Sequence, residues 1–86
     1  MPTKAQREAL GDMWRTLDGI VDMARGAEEM RVSLYDSVQR MRVAPGEISE
    51  ATCIALRQKA IALRNKYEEC ADEAEDVFES AKDLYA

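Results

Sequence analysis

The sequence contains no histidine, and its 86 residues include only two prolines and four glycines. Histidine is the commonest general base and the commonest metal ligand, so sites built around it are excluded. The glycines are scattered, and no dinucleotide-binding, phosphate-binding or nucleophile-elbow motif occurs. Cys53 has no histidine that could activate it as a nucleophile. We therefore expect a protein that is not an enzyme and that uses no cofactor.

Four acidic side chains, at Glu68, Glu69, Asp72 and Glu73, are close enough in sequence to suggest a divalent-ion site. Metal sites inside helical bundles use inward-facing Glu-x-x-His pairs, and this chain has none. The four carboxylates also fall outside the predicted core positions. We expect no metal site.

Long hydrophobic runs are missing as well. No apolar segment approaches the roughly 20 residues that a membrane helix needs, and "MPTKAQREAL" lacks the apolar core of a signal peptide. Cys53 and Cys70 would stand roughly 25 Å apart on one helix, beyond disulfide reach. We expect both cysteines to be buried as small hydrophobic residues in a reducing compartment, the cytoplasm.

What the sequence does contain is a high content of good helix formers. Hydrophobic residues make up 47% of the chain, enough for a globular core, and Leu, Ala, Met, Glu, Arg, Lys and Gln are abundant. The length suits one domain. The composition predicts a single all-α domain over residues 1–86.

The first half of the chain predicts helix over residues 4–42. Thr3 and Gln6 form a T-x-x-Q capping box at its start. An apolar stripe follows at steps of three and four, through Leu10, Met13, Leu17, Ile20, Ala24, Ala27, Leu34, Val38 and Met41. Arg31 interrupts the stripe just after Gly26. The segment is therefore one bent helix or two helices, and we favour a break or kink near Gly26.

A turn is predicted at residues 43–47, "VAPGE". Pro45 disfavours a helical Ala44, and Gly46 tolerates positive φ. Ser49 is a plausible N-cap for a last helix over residues 48–85. The apolar stripe of that helix passes through Leu56, Ala60, Leu63, Tyr67, Cys70, Ala74, Val77, Ala81 and Leu84. Its small residues favour close antiparallel packing on the first half, as a helical hairpin or small bundle.

A second apolar stripe exceeds what a hairpin needs. It comprises Ile54, Ile61, Ala71, Phe78 and Tyr85. A third helical piece, a partner, or a second copy completing a four-helix bundle could cover it. Trp14 lies beside the main stripe, where we expect core or edge packing.

Charge is distributed unevenly. Residues 1–66 carry 11 basic and 9 acidic side chains, whereas residues 67–86 carry 1 basic and 8 acidic ones. Such a chain is a poor candidate for direct nucleic-acid binding. Many of the carboxylates lie four residues apart, where they repel on a helix. The run is therefore either an ordinary solvated face or a surface for a basic partner. The candidate partner-binding residues are Glu68, Glu69, Asp72, Glu73, Glu75, Asp76, Glu79, Phe78 and Tyr85.

A basic band precedes this run, at Arg57, Lys59, Arg64 and Lys66. In an antiparallel hairpin we expect it to pair with acidic residues of the first half, at Asp18, Asp22, Glu28 or Glu29.

Four stretches resemble a family of small helical anti-CRISPR proteins from Pseudomonas phages that block type I-E interference. They are "AQREALGDMWR" (5–15), "AEEMRVSLYDSVQRMR" (27–42), "SEA" (49–51) and "ALRQKAIALRNKYEEC" (55–70). The matching residues, in the same order as in the family, are Ala5, Gln6, Ala9, Leu10, Trp14, Arg15, Ala27, Glu28, Met41, Arg42, Leu63, Arg64, Lys66, Tyr67, Glu69 and Cys70. The alignment needs small gaps, so no contact residue is carried over.

The resemblance implies a phage-encoded, all-helical inhibitor acting in the host cytoplasm. It would bind a component of a type I CRISPR–Cas system, either the nuclease-helicase or the RNA-guided complex. Two alternatives remain open. One is a small assembly factor, chaperone or protein-interaction module that covers an amphipathic helix. The other is a dimeric regulator of RNA or transcription, supported only by the basic band.

Overall fold

The computed structural model describes residues 1–82 and residue 84. Within that part of the chain, Lys4–Val43 forms helix α1, Pro45–Glu47 forms one 3₁₀ turn, and Glu50–Lys82 forms helix α2. The helices pack on each other as a hairpin 66 Å long, which confirms the all-α class. The predicted helix end at residue 85, and the candidate Tyr85, lie outside the described residues.

Both helix starts are capped as the sequence predicts. The Thr3 hydroxyl accepts a hydrogen bond from the Gln6 amide at 3.1 Å, and the Gln6 side chain accepts one from the Thr3 amide at 2.9 Å. The Ser49 hydroxyl accepts from the Thr52 amide at 3.2 Å, while the Ser49 amide donates to the Thr52 hydroxyl at 2.8 Å. These bonds satisfy amides that have no partner inside the helix.

The connection between the helices is short. Ala44 leaves the helical region with φ −131° and ψ 76°, as expected for a residue before proline. Gly46 follows in the 3₁₀ turn without positive φ, so its conformational freedom is not used in the way the sequence suggested.

Helix α1 runs unbroken through Gly26, so residues 4–42 are not two helices and the expected break near this residue is wrong, whereas the alternative of a kink stays a prediction. One glycine inside a helix costs only about 1 kcal/mol relative to alanine. Forty helical residues packed along a partner helix offset that local cost. Arg31 interrupts the apolar stripe without ending the helix because its side chain is exposed and pairs with Glu28.

Three contacts fix the antiparallel register. Gln6 Nε2 donates to the Leu84 carbonyl oxygen at 3.0 Å, near the end where the chain termini meet, here called the open end. Lys59 Nζ donates to Ser37 Oγ at 2.8 Å, nearer the end that carries the 3₁₀ turn, here called the turn end. Between them, Lys66 lies beside Gly26.

Partly covered residues recur at alternating steps of three and four along both helices, the pattern of a coiled coil. In α1 the residues that follow this spacing are Gln6, Ala9, Met13, Thr16, Ile20, Met23, the buried Ala27, Met30, Leu34, Ser37 and Met41; three glycines beside them, Gly11, Gly19 and Gly26, are also partly covered. In α2 the residues that follow it are Leu56, Lys59, Leu63, Lys66, Cys70, Glu73, Val77 and Ser80, and the neighbouring Ala81 is also partly covered. We refer to the residues that follow this spacing as the interhelix positions.

Each heptad has two interhelix positions. The predicted stripes contain the residue at one of them, but in place of the other they contain a neighbouring residue that is exposed. The predicted residues that are instead exposed are Leu10, Leu17, Ala24 and Val38 in α1 and Ala60, Tyr67 and Ala74 in α2. The second position often holds a polar residue, such as Thr16, Lys59 or Glu73. The residues next to this second position are apolar. A prediction from hydrophobicity alone therefore assigns those neighbours to the contact between the helices.

The hairpin has almost no fully buried core. Ala27, at 2% exposure, is the one buried residue in the described part of the chain. Cys53 is exposed and Cys70 half-buried, so the expected burial of the cysteines is wrong for Cys53 and only partial for Cys70. Trp14 is 68% exposed, so of the two expected positions, core or edge, the core is wrong. In a two-helix hairpin each helix has one contact surface, and Cys53 and Trp14 lie outside it. Neither described helix is long and apolar enough to cross a membrane.

Candidate functional site

The hairpin has two long sides with different chemistry. In each helix, the repeat of seven residues (the heptad) contains two interhelix positions, and the second follows the first by three residues. The residue four places after the first position lies on one side of the hairpin. The residue directly before the first position lies on the other side. Because the helices are antiparallel, equivalent flanks of α1 and α2 fall on the same side. Two surface depressions show the same arrangement. Leu34 of α1 lines one of them with Ala60 and Tyr67 of α2, and Arg40 of α1 lines the other, on the opposite side, with Ala55 of α2.

One side carries most of the exposed large hydrophobic residues, and we call it the apolar face. Trp14 and Phe78 are 68% and 55% exposed, and the Phe78 ring has the Lys82 ammonium 4.6 Å from its centroid. The large members of this face are Leu10, Trp14, Leu17, Val21, Tyr35 and Val38 in α1, and Tyr67 and Phe78 in α2. Large exposed apolar patches on soluble proteins commonly mark interaction sites.

The opposite side of α2 carries Glu69, Asp72, Asp76 and Glu79, and we call it the acidic face. Lys66 Nζ lies 3.4 Å from Glu69 and Lys82 Nζ lies 3.2 Å from Glu79. Asp72 and Asp76 form no ion pair with any described residue. The acidic face therefore keeps uncompensated negative charge near the open end.

The structure separates the residues that the sequence grouped as one candidate surface. Phe78 lies on the apolar face, away from Asp72 and Asp76 on the acidic face. Glu68 and Glu75 lie on the side of α2 that points away from α1. A rigid partner could contact one face or the other, but not all of the candidates together.

Glu73 corrects the expectation that every carboxylate of the run lies off the interhelix stripe. It occupies an interhelix position and is half-buried, without a hydrogen bond or ion pair among the described residues. Glu73 therefore lies closer to α1 than the exposed carboxylates of the run.

The basic band does not pair with the acidic residues of α1 as predicted. Every ion pair between described residues joins positions three or four apart on one helix. Arg64 Nε lies 3.7 Å from Glu68 of its own helix. Lys59 and Lys66 occupy interhelix positions, where their aliphatic stems cover apolar surface while the ammonium groups reach out.

The predicted second stripe is also divided. Ile54 and Ile61 lie on the side of α2 that points away from α1, at 50% and 37% exposure. Ala71 and Phe78 lie on the apolar face instead. The ten-residue interval between Ile61 and Ala71 is not a multiple of the heptad, so the stripe changes side there.

The α1 half of the apolar face is the surface that sequence reasoning missed. Leu10, Trp14, Leu17 and Val21 follow one another at steps of four, three and four, which is itself a helical stripe. The periodicity places Leu10 and Leu17 in the predicted core stripe, so it does not predict a separate stripe on this face.

The ion pair of Glu28 and Arg31 interrupts the apolar face at its middle, and Arg64, which pairs with Glu68, lines the same side beside Tyr67. Arg31 donates to both carboxylate oxygens of Glu28, at 2.9 and 2.6 Å. This hydrogen bonding lowers the pKa of Glu28 below its ordinary value and, together with the negative charge, raises the pKa of Arg31. Tyr67, across the hairpin on the same face, contributes to the Arg31 shift.

No group of three or more acidic or cysteine side chains among the described residues is arranged to hold a metal ion. Comparisons with protein-family models, with curated proteins and with solved structures found no match to this chain.

Proposed function

We propose that this chain is a phage-encoded protein that inhibits a type I CRISPR–Cas system by binding an effector component. The target would be the nuclease-helicase or the RNA-guided complex, in the cytoplasm of the host. The proposal rests on the resemblance of four stretches, in order, to small helical anti-CRISPR proteins. The observation that carries the binding mode is the acidic face, with Asp72 and Asp76 free of ion pairs in the described part of the chain.

The acidic face suits such a target on electrostatic grounds. Machinery that grips nucleic acid presents grooves of arginine and lysine, and complementary charge accelerates association and fixes orientation. On α2 the carboxylates stand on a rigid helix, so ordering the surface costs little conformational entropy on binding. Like charges four residues apart lower the stability of the helix slightly. A basic partner would offset that penalty.

The first test is phage survival. The protein is expressed in hosts with active type I-E or type I-F immunity, and a targeted phage is plated beside an untargeted one. Rescue of the targeted phage alone supports inhibition, and the rescuing host gives the subtype. Equal plating with and without the protein in both hosts contradicts the proposal.

The second test asks whether the acidic face carries the inhibition. A triple variant, Asp72→Arg, Asp76→Arg and Glu79→Arg, should lose rescue of the targeted phage while keeping its helical circular dichroism. A matched control, Asp18→Arg, Glu47→Arg and Glu50→Arg, changes the net charge equally outside the candidate partner-binding residues and should keep rescue. Loss in both variants would point to net charge rather than to a surface.

A second candidate function is favoured by the apolar face. An assembly factor or chaperone would use Trp14, Leu17 and Phe78 to cover an amphipathic helix of a client protein, by the helix-in-groove mode. Its test is co-expression with the product of a neighbouring gene. A client that is soluble only with the wild-type protein, and not with Trp14→Glu, would support this function over CRISPR inhibition.

A further inference from the structure

We propose that the apolar face binds a helix of a partner protein, and that the flanks of this helix carry acidic side chains. The bound helix would lie along the groove between α1 and α2 on this face and complete a three-helix bundle. The inference deepens the second candidate function and rests on it only in using the same face. It does not depend on CRISPR inhibition, which involves the acidic face.

The first argument is the shape of the groove. Its α1 flank carries large side chains, such as Leu10, Leu17 and Val38. Its α2 flank is mostly alanine, at Ala60, Ala71, Ala74 and Ala81. A row of large residues beside a row of alanines leaves a channel, and the rounded surface of a helix fills such a channel as a ridge fills a groove. A flat lipid surface matches this relief less well.

The heptad pattern of α1 favours the same occupant. Thr16 and Ser37 occupy interhelix positions and are polar, whereas the residues directly after them, Leu17 and Val38, are apolar and exposed. An apolar stripe that extends from the contact positions onto one flank is typical of a helix that packs on two neighbours in a bundle. Helix α2 is one neighbour of α1, and a helix in the groove would be the other.

The third argument is the charge of the apolar face itself. By their heptad positions, five arginines and two glutamates of the described residues lie on this side, a net charge of +3. The arginines are Arg7, Arg31, Arg42, Arg57 and Arg64, and the glutamates are Glu28 and Glu50. The opposite side, outside the interhelix positions, carries nine acidic and two basic side chains, a net charge of −7. The apolar face therefore suits an acidic partner although the whole chain is acidic.

Arg42 and Arg57 are the two arginines that a bound helix would reach. They lie at the turn end of the apolar face, one on each helix, and neither forms an ion pair with a described residue. Arg31 and Arg64, nearer the middle, are already paired with glutamates of their own helices. Carboxylates on the flanks of a bound helix would therefore pair with Arg42 and Arg57. A second copy of this chain would present the same positive face, so like charge would meet like charge.

The first experiment measures the binding of two synthetic helical peptides by isothermal titration calorimetry. The alanine flank from Ala60 to Ala81 is about 32 Å long, which fits a peptide of about 21 residues. One peptide carries leucine along one face and glutamate on both flanks, and the other has lysine in place of every glutamate. We expect the glutamate peptide to bind at least about tenfold more tightly. Equal affinities, or no binding of either peptide, would overturn the inference.

Charge-reversed variants then test the two arginines. Arg42→Glu with Arg57→Glu should remove the preference for the glutamate peptide, because the flanks of the groove would repel it. Arg15→Glu with Arg40→Glu makes the same change of charge on the opposite side and should keep the preference. The titrations are run at about 0.15 M salt, where charges farther than roughly 8 Å are screened. Loss of the preference in both double variants would mean that net charge selects the peptide, which would overturn the inference.

The same protein distinguishes two other occupants of the face. Tighter binding to phosphatidylglycerol vesicles than to the glutamate peptide would make it a membrane surface. A dimer in sedimentation equilibrium that is lost in Trp14→Glu would make it a contact between two copies. Either result would overturn the inference, whereas we expect the 9.7 kDa monomer and a one-to-one complex with the glutamate peptide. These experiments use no phage and no client protein, so their failure is distinct from failure of either proposed function.

Discussion

Lys66 crosses α1 directly over Gly26. A Cβ atom built on residue 26 would lie 3.1 Å from Lys66 Cε, closer than most carbon contacts in proteins. From there the Lys66 ammonium reaches Glu69 at 3.4 Å. The glycine therefore lets a long cationic side chain pass between the helices with its charge in water. Gly26, where the sequence predicts a helix break, instead leaves room for the Lys66 side chain.

Replacing this glycine tests the crossing. Gly26→Ala should gain up to about 1 kcal/mol of helix propensity but lose part of it when Lys66 shifts aside. Gly19→Ala is the matched control, because nothing lies within 4 Å of a Cβ built there. We expect Gly19→Ala to raise the melting temperature by roughly 4–8 °C and Gly26→Ala to raise it less. In a Lys66→Ala background the two should become equal, as measured by thermal circular dichroism.

The N-cap of α2 is a second determinant of stability. The Ser49 hydroxyl accepts the Thr52 amide, and the two residues exchange a further hydrogen bond at 2.8 Å. Ser49→Ala should lower the free energy of unfolding by about 1 kcal/mol, as other lost N-caps do. Ser33→Ala, inside α1 with an exposed side chain, should be neutral or slightly stabilising. Urea denaturation monitored at 222 nm measures both, and an equal loss in the two variants would argue against capping.

The half-buried residue Glu73 offers a third test. It lies at an interhelix position without a hydrogen-bonding partner among the described residues. Glu73→Leu places apolar surface at an interhelix position, so it should stabilise the hairpin by about 1 kcal/mol.

Glu75→Leu makes the same chemical change on the side of α2 that points away from α1. Its effect should stay within about 0.5 kcal/mol, as for most surface substitutions. Equal effects of the two leucines in urea denaturation would mean that residue 73 does not face α1 in solution.

Local rules predict much of this fold. Thr3 and Ser49 cap the helices as the sequence indicates, and Ala44 leaves the helix because Pro45 follows it. These features depend on neighbours within a few residues. The hairpin itself follows from one proline-containing turn between two long helical segments.

The side of each helix that faces its partner could not be obtained in the same way. Helix α1 carries two apolar flanks, and the choice between Leu17 and Thr16 depends on the partner helix. Polar residues such as Lys59 and Glu73 can occupy interhelix positions in a thin hairpin because their ends still reach water. The candidate surface was affected by the same error, since Phe78 and Asp72 were assigned to one surface and lie on two.

The ion pair of Glu28 and Arg31 predicts a pH dependence. Hydrogen bonds from Arg31 lower the pKa of Glu28 in the folded chain, so the pair stabilises the fold above the ordinary pKa of a glutamate. That contribution is lost as the pH falls through the lowered pKa of the folded state. Both side chains are about half exposed, so solvent and salt screen the effect.

Arg31→Gln should therefore move the pKa of Glu28 upwards, toward its ordinary value, and flatten the acid limb of the stability curve. The measurement is the pH titration of the Glu28 carboxyl carbon by NMR. Arg25→Gln removes a positive charge from the same helix without touching this pair, and should leave the Glu28 titration where it is in the wild type. If both variants shift Glu28 equally, the general field of the helix lowers its pKa, and the hydrogen bonds from Arg31 do not.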